Sequence, residues 1–589
     1  MRTKRPEQLK QAILAELPSG QQENAIFCPE KEFFLRASPG SGKTWTSCRR
    51  FLWSVENSDY QSGGIALLSF TNSAIQEFQK ATVAAGRREA LSDPNFVGTF
   101  DSFVERFVMT PFGHLVSSKK ARPRLHLGPR PGDWNNGKLK VWVDGKGGKK
   151  IPIPAWGIMP IVEDRKVALR GSIGDGEFCI DRNFGLPVMQ AFLDAGFYTH
   201  SQRNFWACRL LLQTPRLCEI LARRFPEIIV DEAQDTGVWQ IQLLRKLRKA
   251  GAKITLVGDP DQCIYEFSLA SVSSLRDLKD EWKLNEKPLD KSYRCNNAIA
   301  SAVRSISGNA AFQGRAEPRN EFERAYVSGD SSIGFGQAVG FFRKKLNDAG
   351  IPEKNCAILC RGHEQIAKIR GSVRYLDLQG KTKDMAEASF LRDKKSDFKN
   401  AFERTEKILR SLVDAPEVWS ILDEKPESKE ALKIRIAIWQ FVRSPKGLPP
   451  ISLNASDWVN QLKDSITKLL TRIGVKDLPQ LGQQFRKTGI NDDQKELPLF
   501  EEQVLFPTIG IETIHKVKGQ SIDGVLVIGS KRFFDGVVKD VLAGNDTENR
   551  RLAYVAMTRA KDLLVVAPPK NHVDANIAFW KDRGFEVVV

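Results

Sequence analysis

No two of the nine cysteines in this chain stand at Cys-x-x-Cys spacing, and only Cys356 and Cys360 lie close together. That pattern excludes the paired-cysteine signature of zinc and iron–sulfur sites. No apolar run approaches the roughly 20 residues that a membrane span needs. The start, Met-Arg-Thr-Lys-Arg-Pro-Glu-Gln, lacks the apolar core of a signal peptide, so a reducing, cytoplasmic setting is expected. There is no internal repeat and no long low-complexity tract. Acidic residues are in deficit: 71 Asp and Glu face 89 Lys and Arg, a net charge of +18. Such an excess attracts a polyanion, nucleic acid first among them.

What is present is the composition of a globular protein, 41% hydrophobic and 27% charged. A length of 589 residues is too great for one core and implies three or four folded units. From Phe33 to Thr46 an apolar strand breaks into a Gly-rich turn that opens a helix. Ala37, Ser38, Pro39, Gly40, Ser41, Gly42, Lys43 and Thr44 follow the pattern of a phosphate-binding loop, with Ala where the strict pattern has Gly. In such a loop, Gly40 and Gly42 let successive N–H groups point inward. Lys43 places a charge on the β and γ phosphates, and Thr44 offers its hydroxyl to Mg²⁺. Pro6 to Ile26 reads as helical, and once the loop is accepted Gln22 is a candidate for the adenine edge.

Trp45 to Val55 is the expected helix after the loop. Ile65 to Phe70 reads as a second buried strand, with a helix starting at Thr71-Asn72-Ser73-Ala74. Val97 to Phe103 repeats the theme of strand, hydroxyl-bearing turn and helix. The character then changes. Between Thr110 and Arg170 there are 13 Lys and Arg against 4 Asp and Glu, with Trp134, Trp142 and Trp156 interleaved among Gly and Pro. This segment is either an inserted basic subdomain offering stacking rings to a phosphate backbone, or a solvated insertion with core tryptophans.

The nucleotide fold resumes at Glu227 to Thr236, a buried strand tipped by Asp231 and Glu232. Phosphoryl transfer needs one carboxylate to hold Mg²⁺ and another to activate the attacking water, roles that fit Asp231 and Glu232. Ile254 to Gln262 is a third such strand, with Gln262 placed to sense the γ-phosphate. Tyr265 and Phe267, next along, would either stack on a nucleobase or pack beneath the sheet.

These ordered blocks resemble the superfamily 1A helicases, the group containing UvrD, Rep and PcrA. The resemblance rests on Ala37 to Thr44, Ser69 to Ala74, Gly98 to Ser102, Val230 to Thr236 and Val257 to Tyr265, and continues through Ser292-Tyr293-Arg294, Ala357 to Arg361, Thr513 to Gly519 and Arg550 to Ala560. It implies an α/β fold of two RecA-like P-loop motor domains with parallel sheets, each carrying an inserted subdomain. The implied bounds are 1–109 with 225–300 for the first motor domain and 110–224 for its basic insert. The second motor domain would take 301–371 with 508–589, and its reduced helical insert 372–507.

By the same resemblance, the cofactors are ATP and Mg²⁺, the latter on Thr44 and Asp231. Lys43, Asp231, Glu232, Gln262, Arg294 and Arg559 would be catalytic, with Arg559 the arginine finger. Tyr293 would stack on adenine, and Gly519 would lie beside the nucleotide. Phe70, Thr71, Asn72, Thr99, Tyr265, Phe267, Thr513 and His515 would line the DNA path. The activity implied is ATP-driven 3′ to 5′ movement on single-stranded DNA.

Three positions depart from the family's habit: Gln520 and Ser521 after Lys518-Gly519, Asp101 in place of a His, and Ser268 in place of an Arg. Asp101 would put an anion where DNA passes. The C-terminal tail after Arg559 is short, so any cutting activity is expected to come from a partner. A second class of function therefore stands beside the first: a DNA-stimulated ATPase that acts as sensor or regulatory subunit of a partner nuclease, with little unwinding of its own. The compact size, the Gly98 to Phe103 segment and the second insert are similar to the helicase-like subunit of the Gabija antiphage system. RNA as the track is a third possibility, since backbone and stacking contacts tolerate either sugar.

Overall fold

The computed structural model describes residues 4–58, 63–126, 139–144, 150–163, 166–173, 176–264, 272–315, 324–330, 335–362, 365–366, 369, 374–375, 380–413, 415–424, 428–485, 500–501 and 508–588. The chain divides into two compact units, residues 364–507 making up nearly all of the second.

The first unit is built on two six-stranded sheets. One contains β1 (Phe34–Ala37), β2 (Ile65–Ser69), β3 (Phe96–Thr99), β4 (Glu227–Val230), β5 (Lys253–Gly258) and β6 (Glu286–Leu289). Its spatial order is β6-β1-β5-β4-β2-β3, and every pairing is parallel. The strands are short runs of Ile, Leu, Val and Phe because both faces are covered. Leu67, Ile229 and Val257 enter one core cluster, while Ala66, Leu68, Ile228, Val230 and Leu256 enter the other. That period-2 division is what a doubly covered parallel sheet demands.

The second sheet contains β7 (Arg324–Ser328), β8 (Cys356–Cys360), β9 (Gly510–Thr513), β10 (Ile522–Ile528), β11 (Ala560–Ala567) and β12 (Glu586–Val588). It runs β9-β8-β10-β11-β7-β12, again all parallel. Its core gathers Val525, Val527, Leu564 and Val566 with Tyr554 and Trp580.

Some expected elements shift. Pro6 to Ile26 is not one helical stretch but two helices, Lys4–Ala15 and Gly20–Ile26. The second starts at Ser19, whose hydroxyl and the Gln22 amide cap each other's backbone N–H groups. The helix after the loop begins at Lys43 rather than Trp45 and ends at Glu56. Between residues 110 and 224, where the sequence left an inserted subdomain and a solvated insertion both open, the described residues form strands and helices. A hairpin pairs Lys140–Asp144 with Lys150–Pro154, and three antiparallel strands follow, Ile158–Glu163, Lys166–Ile173 and Gly176–Ile180. Helices Arg182–Asp194, His200–Gln213 and Pro215–Arg224 complete it. Its core residues Ile153, Leu169, Met189 and Leu193 belong to the same cluster as Ala66, Leu68 and Ile228 of the first sheet.

The second unit is helical, with helices Gly380–Lys395, Phe398–Leu412, Pro416–Glu424, Lys429–Arg443 and Ala455–Arg472. They enclose their own core around Trp458, Ile438, Leu409 and Met385. Trp458 is fully buried, and its indole N–H donates to the Pro449 carbonyl at 3.1 Å. Among the described residues, no helix is long and apolar enough to cross a membrane.

Candidate active site

The loop after β1 is shaped by two glycines in the left-handed region, Gly40 at φ +72 and Gly42 at φ +78. A side chain at Gly40 would run into Arg294 Cβ and the Ser292 hydroxyl, so the turn needs Gly for space as well as for its dihedral. The Gly40 carbonyl accepts from the Tyr293 N–H at 2.8 Å, which pins the strand Lys291–Asn296 against the loop. Ala37 closes β1 with its methyl buried, beside Leu289 in register. It contributes packing, and the polar cradle begins at Ser38, whose hydroxyl accepts from the Asn309 amide at 3.2 Å. Pro39 is buried in the turn.

Gln22, the candidate for the adenine edge, is held by three groups of the protein itself. Its carbonyl accepts from the Ser19 N–H at 2.9 Å and from the Tyr293 hydroxyl at 3.1 Å, and its amide nitrogen donates to the Ser41 carbonyl at 3.1 Å. It therefore ties helix cap, loop and Tyr293 together. The Tyr293 ring itself is 44% exposed and available for stacking.

Lys43, at the first turn of its helix, donates to Glu232 Oε2 at 2.5 Å, and Gln234 Nε2 donates to the same oxygen. Glu232 sits at φ +53, an unusual dihedral for a non-glycine residue and one that clusters at functional sites. Burial pushes its carboxyl up, but Lys43 and Lys518 outweigh that and hold it at about 2. The neighbouring Asp231 is fully buried, and burial together with the Glu232 charge pushes its carboxyl up to about 7 against the pull of Lys43. Ser47, one turn after Lys43, donates to Asp231 Oδ1 at 3.4 Å, while among the described residues Oδ2 has no partner. Thr44 stands on the same helix turn.

From the second sheet's side come Arg294 and Arg559. Arg559 is 1% exposed, donates to the Val555 carbonyl at 3.0 Å and to Gln262 Oε1 at 3.1 Å. Arg294 donates to the Thr558 carbonyl at 3.2 Å. Among the described residues neither guanidinium has a carboxylate within ion-pair reach. Burial, and then the charge of Arg294, pulls Arg559 down to about 9. Gln262 is held from the other side by Asp259, to which it donates at 2.7 Å, and the Tyr554 hydroxyl donates to that same Asp259 oxygen at 3.1 Å. Gly519 lies in the turn after β9 at φ +86, and the next carbonyl, Gln520, accepts from Arg559 Nη1 at 3.4 Å.

This donor set fits a magnesium–nucleoside triphosphate. Three cations, Lys43, Arg294 and Arg559, lie within electrostatic reach of Glu232, and among the described residues Ser41 Oγ of the loop and Asp231 Oδ2 beside Glu232 are buried without a partner. Buried polar atoms are almost always satisfied, so orphans in a cationic cradle mark a place for phosphate and metal.

The sequence did not reveal the ties that span the two sheets. Lys518 pairs with Asp235 at 2.5 Å, both nearly buried. Arg551 donates to the Cys263 carbonyl at 2.6 Å, and Arg276 reaches Asp546 at 3.2 Å. Each joins residues hundreds of positions apart, and no local pattern announces them.

Of the candidate DNA residues, Phe70, Thr71, Asn72 and Thr99 lie at the C-terminal ends of β2 and β3, on the far side of β4 from the loop. Thr71 and Thr99 cap the helices after β2 and β3, accepting from the Ala74 and Ser102 N–H groups. Thr99 stands in register beside Ser69. Asn72 is exposed, and Phe70 stacks on Phe100 at 6.0 Å. Thr513 ends β9, and His515 Nε2 lies 3.3 Å from the Ile264 carbonyl. Tyr265, Phe267 and Ser268 fall outside the described residues. Asp101 has a partner: Arg203, 4% exposed, forms an ion pair with it from the helix His200–Gln213.

Two family models match the chain. The UvrD/REP helicase N-terminal domain matches residues 19–127 and 193–283, and the UvrD-like helicase C-terminal domain matches 451–570. Together they take in more than half of the chain. Similar proteins include the DNA helicase II of Haemophilus influenzae, 22% identical across 93% of this chain and 83% of the relative. The DNA helicase II of Escherichia coli is 23% identical across 92% and 83%. The ATP-dependent DNA helicase PcrA of Bacillus subtilis is 28% identical across 27% and 22%.

Proposed function

Because the chain belongs to the UvrD/REP helicase family, we propose that it is an ATP-dependent DNA helicase that hydrolyses ATP between two motor domains, residues 1–109 with 225–300 and residues 301–371 with 508–589. The observation that carries this reading is that Lys43 pairs with Glu232, Arg294 packs against the loop at Gly40 and Arg559 bonds Gln262, all three cations lying within electrostatic reach of Glu232. Thr44 and Asp231 would hold Mg²⁺. When bound, the magnesium–triphosphate supplies the phosphoryl group to be transferred and the charge that draws the cations inward.

The chain's own residues do the rest. Gly40 to Lys43 present N–H groups and a charge to the phosphates. Glu232 is held ionised and so is able to accept a proton from water, while Gln234 and Lys43 fix its position. Arg559 is linked through Gln262 to the first motor domain and so delivers its charge only with the two halves together. Lys518 to Asp235 and Arg551 to the Cys263 carbonyl make the same closure depend on the turn after β4 that bears Glu232 and on the segment after β5. Hydrolysis is thereby coupled to domain closure, the step that would drive 3′ to 5′ movement on a single strand. Thr71, Asn72, Thr99, Thr513 and His515 would contact that strand.

The test is DNA-stimulated ATP hydrolysis by Lys43→Ala and wild type, with unwinding of forked duplexes carrying a 3′ or a 5′ tail. Loss of hydrolysis in the variant and unwinding only from the 3′ tail are expected. Stimulated hydrolysis at the wild-type rate in the variant would sink the assignment. Stimulation without strand separation would transfer it to a regulatory subunit of a nuclease complex.

A further inference from the structure

Trp142 stands out among the large apolar side chains left in water, at 54% exposed. Its exposure is built into the hairpin. Val141, Val143 and Ile153 point into the core shared with Leu169, Ile180 and Met189, so the alternation of a strand turns Trp142 to the opposite face. On that face, in register, stand Lys140 beside Pro154, Trp142 beside Pro152, and Asp144 beside Lys150. The Lys140 ammonium lies 5.3 Å from the indole centroid. Lys150 pairs with Asp144 at 2.6 Å, but both are mostly exposed, so the pair is weak and the lysine remains open to a stronger anion.

An indole fixed on a strand by its buried neighbours and flanked by cations asks for a ligand that is flat, apolar and anionic at once. An exposed nucleobase with its phosphates has that chemistry. A peptide strand added to the hairpin is a poorer fit, since Pro152 and Pro154 bring no N–H to a ladder. Residues 128–192 lie outside both family-model matches, so the hairpin's role does not come with the family. Trp156, by contrast, packs against His126 and Phe192, and Trp134 is outside the described residues.

We infer that Trp142 is a stacking platform for an exposed base of the DNA substrate, with Lys140 and Lys150 meeting the flanking phosphates. The inference rests on the reading of the chain as a DNA motor. The base is either unpaired or the end of a duplex, and both present the same face.

The experiment measures the Kd of the full chain for a fluorescent single-stranded oligonucleotide and for a blunt-ended DNA hairpin, using wild type, Trp142→Ala, Trp142→Phe and Lys140→Gln. Trp142→Ala is expected to weaken binding about tenfold, with partial rescue by Trp142→Phe, because stacking contributes roughly 1–3 kcal/mol per base. Its salt dependence should match wild type, whereas Lys140→Gln should lower the slope by about 0.7 to 0.9. Hydrolysis without DNA should be unchanged in all three variants. A loss confined to the oligonucleotide assigns the platform to an unpaired base, and one confined to the blunt hairpin to a terminal pair. Wild-type affinity of Trp142→Ala for both DNAs overturns the platform and leaves the motor reading intact. A wild-type chain that binds neither DNA overturns both.

Discussion

Arg203 and Asp101 show what a single ion pair does when only one side is wet. Arg203 is buried and Asp101 is about half exposed, so removing the carboxylate strands a charge inside the protein. Asp101→Asn is expected to cost about 1–2 kcal/mol after allowance for solvent screening, read from urea unfolding. Asp261 behaves in the opposite sense. Burial, and then the charge of Asp259, pushes its carboxyl up to about 7 against the pull of Arg276. Between about pH 4 and pH 7 the folded chain holds a proton that the unfolded chain has released, so this group's contribution to stability falls as pH rises through that window. Asp261→Asn should therefore raise the melting temperature at pH 8 and leave it unchanged near pH 4. Arg559→Ala should spare nucleotide binding and slow turnover roughly a thousandfold, separable by measuring both on one variant. Lys43, Asp231 and Glu232 could be nominated from motif order, because phosphate chemistry constrains residue type and spacing, and Arg559 from the resemblance. Their mutual geometry could not be. Gln22 could be nominated from its position, but its bond from the Tyr293 hydroxyl depends on a strand 271 residues away.

At the level of elements, legibility followed periodicity. β2, β4 and β5 are continuous apolar runs bounded by turn residues, and they were read as strands. The resemblance implied a helical insert at 372–507, and the helices Phe398–Leu412 and Ala455–Arg472 stand there. The strands between Lys140 and Ile180 were hidden, since Pro, Gly and Lys interrupt them and the alternation of Val141 and Val143 spans only five residues. The loop after β1 offers the sharpest element-scale test. Gly40→Ala would force a strained dihedral and a collision with Arg294, and so displace the strand that carries Tyr293 and Arg294. Nucleotide binding should be lost while the helical unit's stability is untouched, a split that hydrogen exchange would resolve region by region.

Across the whole molecule, cores rather than motifs mark the divisions. The helical unit closes around Trp458 with apolar residues of its own, so residues 380–485 expressed alone should be helical and unfold cooperatively. A fragment that stays a molten ensemble would refute that independence. Residues 110–224 differ. Their apolar side chains run without a break into those beneath the first sheet, Leu169 and Met189 sharing one cluster with Leu68 and Ile228. That continuity makes the segment a poor cassette for exchange. A chimera that swaps it for a relative's counterpart would have to re-pack the underside of the first sheet as well, so its outward hairpin can change freely only while its inward residues keep that packing.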